Sequence, residues 1–514
     1  MLCSTISALP LLYLAAVLAL NPTTTSPNDS EVIFLASNSS AKAHLACQRI
    51  TTLLGPSIVQ TAHQAGYDDA LHYPWHLENT LLRPACIIFP TKARHVQTAM
   101  REIYRARARY AVQAGGHSAM TGWNTVHGGV LIMLAQMKAV GYDSVKDRII
   151  LEPGVTWEEA NAALEPHGVV PVGGRVGYVG TGLILGGGLS YLSPSQGYVA
   201  DNLVSADVVL VNGTLVTARA DNDYADLFRA LKGGGNRFGI VTKYVVRAVR
   251  VGRRTDKPFF GGMIIYPPET TEALLNATTK FTWEVDDPRA VILVSLASVV
   301  RNKTLQRANV LFAFYNGTSL PPSVFGDFLA ITSLATQLSQ KSYIDVLLTL
   351  NTPSATKYVQ HFGAAAFHAD ASLLLSAYRE HENFTNTFMP GPDADMTLST
   401  MVVTPIARSQ IAAGRAKGGN AMIPALQTEG FAAVQFEQSF SEGVMEIPPA
   451  VRKGLDSLQE KVGSSPGLPL LLNECDASQR VFESYGNYAE LRDTHSKYDP
   501  ERFSMEFTNG PLGL

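Results

Sequence analysis

The sequence lacks the features that mark several common classes of protein. It contains no run of Lys or Arg, and 41 basic against 44 acidic residues leave a net charge of −3, so the charge pattern indicates no nucleic-acid partner. Low-complexity tracts and convincing internal repeats are absent, which argues against a disordered linker protein or a solenoid. No cluster of metal ligands stands out, and we predict no metal site.

Cysteine is scarce, with four residues in a chain of 514. Cys3 falls in an N-terminal segment that we expect to be removed. Cys47 and Cys86 could form one disulfide near the start of the mature chain, which leaves Cys475 over, in a buried position. The alternative is that all four are small hydrophobic residues.

Long hydrophobic runs are also missing, apart from residues 9–20. Because that run is too short to cross a bilayer comfortably, we predict a signal peptide over residues 1–20, although no basic residue precedes it. A membrane anchor and a buried helix are the alternatives. Glycosylation sequons support a secreted glycoprotein with no stable membrane span after signal removal. The sequons begin at Asn28, Asn38, Asn212, Asn276, Asn302, Asn316 and Asn383.

What the sequence does contain predicts an α+β protein of two large lobes, because 514 residues exceed one compact core. Residues 21–81 form a helical segment, judged by apolar spacing. Residues 82–252 alternate short strands with a helix. Residues 253–479 contain longer strands of alternating polarity, typical of an antiparallel sheet with helices on one face. Residues 480–514 are polar and aromatic and form a separate segment.

Glycine is concentrated at two places. The segment Gln113-Ala114-Gly115-Gly116-His117-Ser118 ends a predicted strand, and paired glycines let backbone N–H groups turn towards an anion such as a diphosphate. Residues 173–188 contain eight glycines but do not match the dinucleotide-binding fingerprint, since the third glycine is misplaced. Taken singly, each segment is equally compatible with a glycine-rich turn.

In combination these segments resemble a known family. The Gly-Gly-His of residues 115–117, the glycine-rich residues 173–188 and the Asp-Leu-Phe, Gly-Gly-Gly-Asn and Phe-Gly-Ile-Val-Thr stretches of residues 226–242 are similar to the FAD-binding domain of the vanillyl-alcohol oxidase superfamily. Residues 485–488 and 497–503 resemble the C-terminal motif of its berberine-bridge-enzyme-like branch, of fungal type. The resemblance implies a PCMH-type FAD domain over residues 82–252, a substrate domain over 253–479, and a tail, 480–514, that returns to the FAD domain.

The resemblance also implies how the cofactor is held. FAD is expected to be attached covalently, through its 8α-methyl group, to a ring nitrogen of His117. Some members have a second link through a cysteine, but Val176 stands near that position, so we predict a single link. Val179 falls where the family controls access of oxygen. The residues expected to bind FAD are Gly115, Gly116, His117, Ser118, Val179, Gly180, Gly182, Gly186, Gly187, Ile240 and Asn487.

The implied reaction moves a hydride from a substrate carbon to FAD while a base removes a proton from an adjoining O–H or N–H. O2 then takes the electrons and gives H2O2. Tyr485 is the first candidate for the base, since sugar-oxidising relatives use a tyrosine of this tail motif, and a phenol needs a lowered pKa for that role. Glu437, on a predicted strand, is the second candidate. A solvated charge on an exposed strand face is the alternative interpretation of Glu437.

The expected substrate is an alcohol, an amine or a polyketide-type secondary metabolite. An oligosaccharide oxidase is the alternative, and the missing cysteine argues mildly against it, because sugar oxidases of the family more often carry a doubly linked flavin. Two hypotheses of other classes stay open. The protein could be a flavin-containing scaffold for a cyclisation or isomerisation, or a secreted binding protein without flavin.

Overall fold

The computed structural model describes residues 29–350, 358–390, 395–424 and 426–514. The predicted signal peptide of residues 1–20, Cys3 and the Asn28 sequon lie outside them. The chain divides into two compact units, Met1–Asn38 and Ser39–Leu514. Residues 29–38, the described part of the first unit, are helical; all that follows concerns the second unit.

The strands of the described residues are β1 (Val59–Gln60), β2 (Cys86–Ile88), β3 (Tyr110–Gln113), β4 (Val130–Met133), β5 (Val140–Asp143), β6 (Arg148–Leu151), β7 (Val169–Pro171), β8 (Leu203–Val209), β9 (Leu215–Arg219), β10 (Ile240–Arg250), β11 (Phe259–Tyr266), β12 (Ala290–Arg301), β13 (Thr304–Asn316), β14 (Ala335–Lys341), β15 (Gln360–His368), β16 (Met396–Ile406) and β17 (Phe431–Phe440).

The helices of the same residues are α1 (Asp29–Leu54), α2 (Ala65–Leu71), α3 (Leu77–Thr80), α4 (Ala93–Ala106), α5 (Trp157–Leu164), α6 (Ser193–Gln196), α7 (Ala225–Ala230), α8 (Thr271–Glu284), α9 (Pro322–Leu329), α10 (Tyr343–Leu347), α11 (Ala371–Phe388), α12 (Arg408–Ala416), α13 (Pro449–Val462), α14 (Tyr488–Tyr498) and α15 (Phe503–Glu506). None of them combines the length and the hydrophobicity needed to cross a membrane.

The first sheet has the strand order β1-β2-β4-β3, in which β2, β4 and β3 are parallel. Every residue of β4 is buried, as expected for a parallel strand covered on both faces, and its sequence is therefore a continuous apolar run. The predicted disulfide between Cys47 and Cys86 is present and joins α1 to β2. Cys475 is free and buried.

The second sheet has the order β5-β6-β10-β8-β9, with β7 also paired to β10. All of its pairings are antiparallel. The tail packs on this lobe: the Arg237 guanidinium donates hydrogen bonds to the carbonyls of Ser504, Thr508 and Pro511.

The third sheet is antiparallel, with the order β14-β11-β13-β12-β16-β17-β15. One face packs on α8, α9, α11 and α13, so that Phe436 of β17 contributes to that core with Phe384 and Leu455. Alternate residues point to the opposite face, which meets the first lobe. This arrangement confirms the predicted α+β class with helices on one side of an antiparallel sheet.

Candidate active site

The loop after β3 carries His117 on two glycines that tolerate no side chain. A Cβ on Gly115 would lie 2.6 Å from the Cα of Gly180, so these two backbones are in direct contact. Gly116 has a φ of +72°, in the left-handed region that favours glycine. Its carbonyl accepts a hydrogen bond from the Trp75 N–H at 3.1 Å. The backbone geometry at positions 115 and 116 therefore requires glycine.

The imidazole of His117 has a ring nitrogen buried beside the glycine pair. Its Nε2 is buried and has no hydrogen-bond partner among the described residues. The imidazole stacks on the indole of Trp75, with ring centroids 4.1 Å apart and planes 14° from parallel. Burial lowers the pKa of His117 to about 4. The ring is therefore neutral at pH 7 and offers a nitrogen lone pair.

The glycine-rich residues 173–188 form a facing wall. Thr181–Gly186 is a 3-10 helix, and the space that a side chain on Gly182 would enter is open. A Cβ on Gly186 would collide with the Asn473 amide, whose Oδ1 accepts a hydrogen bond from the Gly188 N–H at 2.9 Å. Gly182 and Gly186 therefore expose backbone on this wall, next to Leu183 and Leu185 of the same 3-10 helix.

Both lobes enclose a cavity of about 400 Å³, a size usual for a small-molecule site. The third sheet contributes Phe362, Gln435 and Glu437 to its wall. Most residues predicted to bind FAD line the same cavity. They are Gly115, Gly116, His117, Ser118, Val179, Gly180, Gly182, Gly186 and Ile240.

Three charged side chains also line the cavity. Arg175 pairs with Glu474 at 2.8 Å and donates a hydrogen bond to the Thr404 hydroxyl at 3.0 Å. Burial raises the pKa of Glu437 to about 7; repulsion from Glu474 adds to this effect and attraction to Arg175 opposes it. Burial likewise raises the pKa of Glu474, against the attraction of Arg175. Glu437 can therefore exchange a proton near neutral pH.

The alternative interpretation of Glu437 as a solvated charge on an exposed face is thus wrong. Glu437 lies on β17 beside Phe362 of β15, on the face of the sheet that is turned towards the first lobe. The side chain is partly buried, and the space that it faces is the cavity. An alternating strand pattern predicts that residues differ in exposure, but it does not say what covers either face.

Tyr485 is not placed as a base would need to be. It is buried and does not line the cavity; its hydroxyl donates a hydrogen bond to the Gly233 carbonyl at 3.3 Å, and its ring packs against Phe482. Burial raises the pKa of its phenol well above the usual value, the opposite of the shift required. Tyr485 therefore has neither the position on the cavity wall nor the lowered pKa that the predicted role requires.

Two predicted FAD-binding residues also lie off the cavity wall. Asn487 donates hydrogen bonds to the carbonyls of Asn420 and Ile423, at 3.2 and 3.4 Å. Gly187 packs close to Met422, and a Cβ there would lie 2.5 Å from that side chain. Neither residue lines the cavity.

Several residues of the cavity wall were not among the predicted site residues. For Arg175 and Tyr178 the sequence offers a signal. They are the charged residue and the aromatic residue within the glycine-rich residues 173–188, where most other residues are glycine or aliphatic. Trp75, Phe362 and Glu474 come from segments far apart in the chain. Nothing in their local sequence distinguishes them from core or surface residues.

These residues fit a bound flavin dinucleotide. The unpartnered Nε2 of His117 suits an electrophilic carbon of a cofactor. The contact of Gly115 with Gly180 brings two backbones to the same wall, where N–H groups can face a diphosphate. The open space at Gly182 suits a large flat ring.

Comparisons with known proteins agree with this geometry. Residues 84–219 match a family described as an FAD binding domain. Over 375 residues the chain is 32% identical to an uncharacterized FAD-linked oxidoreductase of Arthroderma benhamiae, a match that covers 70% of this chain and 71% of the relative. It is 28% identical to the FAD-dependent monooxygenase drtC of Aspergillus calidoustus, over 82% of this chain and 81% of that protein. The fold is similar to 6-hydroxy-D-nicotine oxidase from Arthrobacter nicotinovorans, with a TM-score of 0.70, 20% identity and coverage of 88% and 98%.

The fold and the cavity thus define a flavoprotein built on a PCMH-type FAD-binding domain. The chain belongs to the FAD-linked oxidoreductase family. This confirms the predicted superfamily, FAD as the cofactor and the enzyme class.

Proposed function

We propose that the protein is an oxidase in which Glu437 removes a proton from a small organic substrate. When bound, FAD supplies a two-electron acceptor for a hydride from the substrate carbon. The observation that carries the proposal is the position of Glu437: a carboxyl with a pKa raised to about 7 by burial faces the same cavity as His117. Its ionised form accepts the proton of a substrate O–H or N–H.

Arg175 and Glu474 support this role of Glu437. Because Arg175 is committed to Glu474 and to the Thr404 hydroxyl, it only partly compensates the charge of Glu437. Burial, reinforced by repulsion from Glu474, raises the pKa of Glu437 and makes its carboxylate more basic than a free glutamate. Around pH 7 it is thus ionised often enough to act and basic enough to accept a proton.

We further propose that His117 holds FAD through a single covalent link. A bond forms between a ring nitrogen and the 8α carbon, one C–H bond at that carbon breaks, and the imidazole N–H proton is lost. The electron pair of the C–H bond passes to O2, which becomes H2O2 with the two protons. The neutral imidazole and its unpartnered Nε2 support this, and Val176 leaves no thiol for a second link.

Val179 is proposed to admit O2 to the cavity that it lines. Its side chain is apolar and modest in size, so it neither fills the space as a larger residue would nor holds water there by hydrogen bonds. Electrons are then delivered to O2, and H2O2 is released.

The lining of the cavity favours an aromatic or other apolar substrate with one O–H or N–H group. Trp75, Tyr178 and Phe362 line this region together with the carboxyl of Glu437. This is the pattern expected for an alcohol, an amine or a polyketide-type secondary metabolite rather than a sugar chain, which needs many polar partners. Oligosaccharide oxidation and a scaffold role stay as outcomes of the test.

The protein is proposed to be secreted. The sequon residues Asn212, Asn276, Asn302, Asn316 and Asn383 are all exposed, so a glycosyltransferase can reach each of them. The Cys47–Cys86 disulfide is typical of an oxidising compartment. Mass spectrometry of the secreted protein before and after glycosidase treatment tests this proposal, and unmodified sequons would count against it.

The first experiment concerns the flavin itself. The protein is secreted from a eukaryotic host, denatured in SDS and imaged for flavin fluorescence after acid treatment, beside His117→Ala. A band that disappears in His117→Ala supports the covalent link, and a band that persists contradicts it. A yellow native protein without a band indicates FAD held non-covalently. A folded protein that contains no flavin overturns the proposed oxidase.

The second experiment concerns the reaction. O2 uptake and H2O2 release are measured with panels of alcohols, amines, phenolic compounds and oligosaccharides. Uptake with oligosaccharides alone contradicts the proposed substrate class. Because the relative drtC is described as a monooxygenase, the organic product is also formed under ¹⁸O2. Label in the product would replace the oxidase with a monooxygenase, and turnover without flavin reduction would indicate a scaffold.

A further inference from the structure

We infer that Trp75 is a positioning residue that fixes the orientation of the His117 imidazole for attachment of the flavin. The inference rests on the proposed covalent link. Trp75 belongs to a segment, residues 75–79, that packs between the loop of His117 and the third sheet. We call this segment the strap.

Stacking on Trp75 restrains the imidazole in the manner that bond formation requires. The two rings lie 4.1 Å apart and within 14° of parallel, so the indole covers one face of His117. A ring nitrogen reacts through a lone pair that lies in the plane of the ring. The stack therefore limits tilting of the imidazole and leaves its reactive edge uncovered.

Hydrogen bonding does not restrain the Nε2 side of the imidazole. Nε2 has no partner among the described residues, and the other aromatic neighbour, Tyr178, is tilted by 33° at 5.2 Å. Trp75 thus makes the closer and more nearly parallel of the two ring contacts. Its removal would leave only the tilted Tyr178 ring and a hydrogen bond of the imidazole to the backbone, which restrain the plane of His117 less closely.

Trp75 is itself held on two sides. Its backbone N–H donates a hydrogen bond to the Gly116 carbonyl at 3.1 Å, one residue before His117. Its ring packs against Phe362 of β15, with centroids 5.6 Å apart. The side chain is 8% exposed, so the indole has little freedom to move away from the imidazole.

The rest of the strap is hydrogen-bonded to the third sheet, at the start of β15. The Leu77 N–H donates to the Tyr358 carbonyl at 3.0 Å, and the Gln360 N–H donates to Nδ1 of His76 at 3.0 Å. These bonds fix the backbone on the C-terminal side of Trp75. The plane of the indole, and with it that of the imidazole, is therefore set by the contact between the two lobes.

Asn79 ties the strap to the chain that follows His117. Its Nδ2 donates a hydrogen bond to the Met120 carbonyl at 3.2 Å, and its Oδ1 accepts one from the Gly122 N–H at 2.7 Å. The strap thus holds the histidine loop both before and after His117. A movement of the loop that would separate the two rings must break these bonds.

The test measures attachment rather than turnover. Wild type, Trp75→Leu, Trp75→Phe and Trp283→Leu are secreted and purified, and each is acid-precipitated, so that flavin in the pellet is covalent and flavin in the supernatant is free. Samples of native protein incubated with FAD in air give the rate of attachment. We expect attachment in Trp75→Leu to be slower by on the order of tenfold or more, since small misplacements of reacting groups cost that much. Trp75→Phe, which keeps a flat ring, should recover most of the rate.

Trp283→Leu is the matched control, because it makes the same substitution at an exposed tryptophan of α8 that does not line the cavity. We expect its covalent fraction to equal that of wild type. Attachment in Trp75→Leu at the wild-type rate overturns the inference. An attachment rate in Trp75→Phe as low as that in Trp75→Leu overturns it as well. If Trp75→Leu shows no cooperative thermal transition, it is not folded, and the attachment rates of Trp75→Phe and Trp75→Met are compared instead. Equal rates in these two variants then overturn the inference.

His117→Ala separates this inference from the proposed link. If His117→Ala keeps covalent flavin, or wild type has none, the proposed link fails and the role of Trp75 fails with it. If His117→Ala loses covalent flavin while Trp75→Leu attaches it at the wild-type rate, the link stands and only the role of Trp75 is refuted.

Discussion

Replacing Glu437 with Gln removes the proposed base and keeps the shape of its side chain. A positioned general base contributes about 10²–10⁴-fold to a rate, so we expect kcat to fall on the order of 100-fold or more, with a smaller effect on KM. The wild-type rate should rise with pH through about 7, where the carboxyl ionises. The variant should lose that dependence, as followed by anaerobic flavin reduction with a substrate found in the panel.

The same substitution has an effect on stability that needs no substrate. Raising a carboxyl pKa from 4.5 to about 7 corresponds to about 3 kcal/mol against the ionised form. Because the folded state favours the neutral acid, the stability that this carboxyl contributes is present below pH 4.5 and is lost as the pH rises through 7. Water in the cavity reduces the effect, so we expect Glu437→Gln to be more stable than wild type by ~1–3 kcal/mol at pH 8. At pH 4 the two should unfold alike.

Tyr485→Phe is the control, because it removes only a hydroxyl that bonds to the Gly233 carbonyl. Loss of such a bond changes stability by about 1 kcal/mol and should leave the pH dependence of the rate unchanged. Full activity in Glu437→Gln together with a large loss in Tyr485→Phe would refute the assignment of the base. Equal stability of Glu437→Gln and wild type at pH 8 would refute the argument from burial.

Three other substitutions test the walls of the site and the disulfide. Gly115→Ala places a Cβ 2.6 Å from the Gly180 Cα, and overpacking of about 1–3 kcal/mol should lower the melting temperature and the flavin content. Arg175→Met removes an attraction that lowers the pKa of Glu437, so the rise of rate with pH should move to higher pH. The double substitution Cys47→Ser/Cys86→Ser opens a cross-link that spans 39 positions, and urea unfolding should show a loss of about 4 kcal/mol with native flavin absorbance kept.

Each of these expectations has a clear contrary result. Unchanged flavin content and melting temperature in Gly115→Ala would show that the backbone contact adjusts easily. A pH profile of Arg175→Met that moves to lower pH would contradict the sign of the interaction with Glu437. Unfolding of the serine variant at the wild-type urea concentration would show that the disulfide does not stabilise the native state.

Secondary structure was predictable where apolar patterns were strong. The continuous apolar run of β4 and the alternating residues of β11 and β17 match the strands that the structure contains. β14 was missed, because Ala335–Lys341 is polar and largely exposed, and it pairs only along one side, at the edge of its sheet. Such a strand is held by backbone hydrogen bonds to β11, which leave no apolar signal.

The sequence by itself indicated the histidine loop, the glycine-rich segments and one possible disulfide pair. The left-handed φ at Gly116 restricts the residue type through the local backbone, whereas the contact of Gly115 with Gly180 and the Cys47–Cys86 bond form only when the fold brings separate segments together. Only the tertiary structure decided that Glu437 and Trp75 face the cavity and that Tyr485 does not. Burial, pKa and ring stacking depend on distances between segments far apart in the chain, such as Arg175 and Glu474, separated by 299 positions. Those distances are set by how the two lobes pack, which no local pattern encodes.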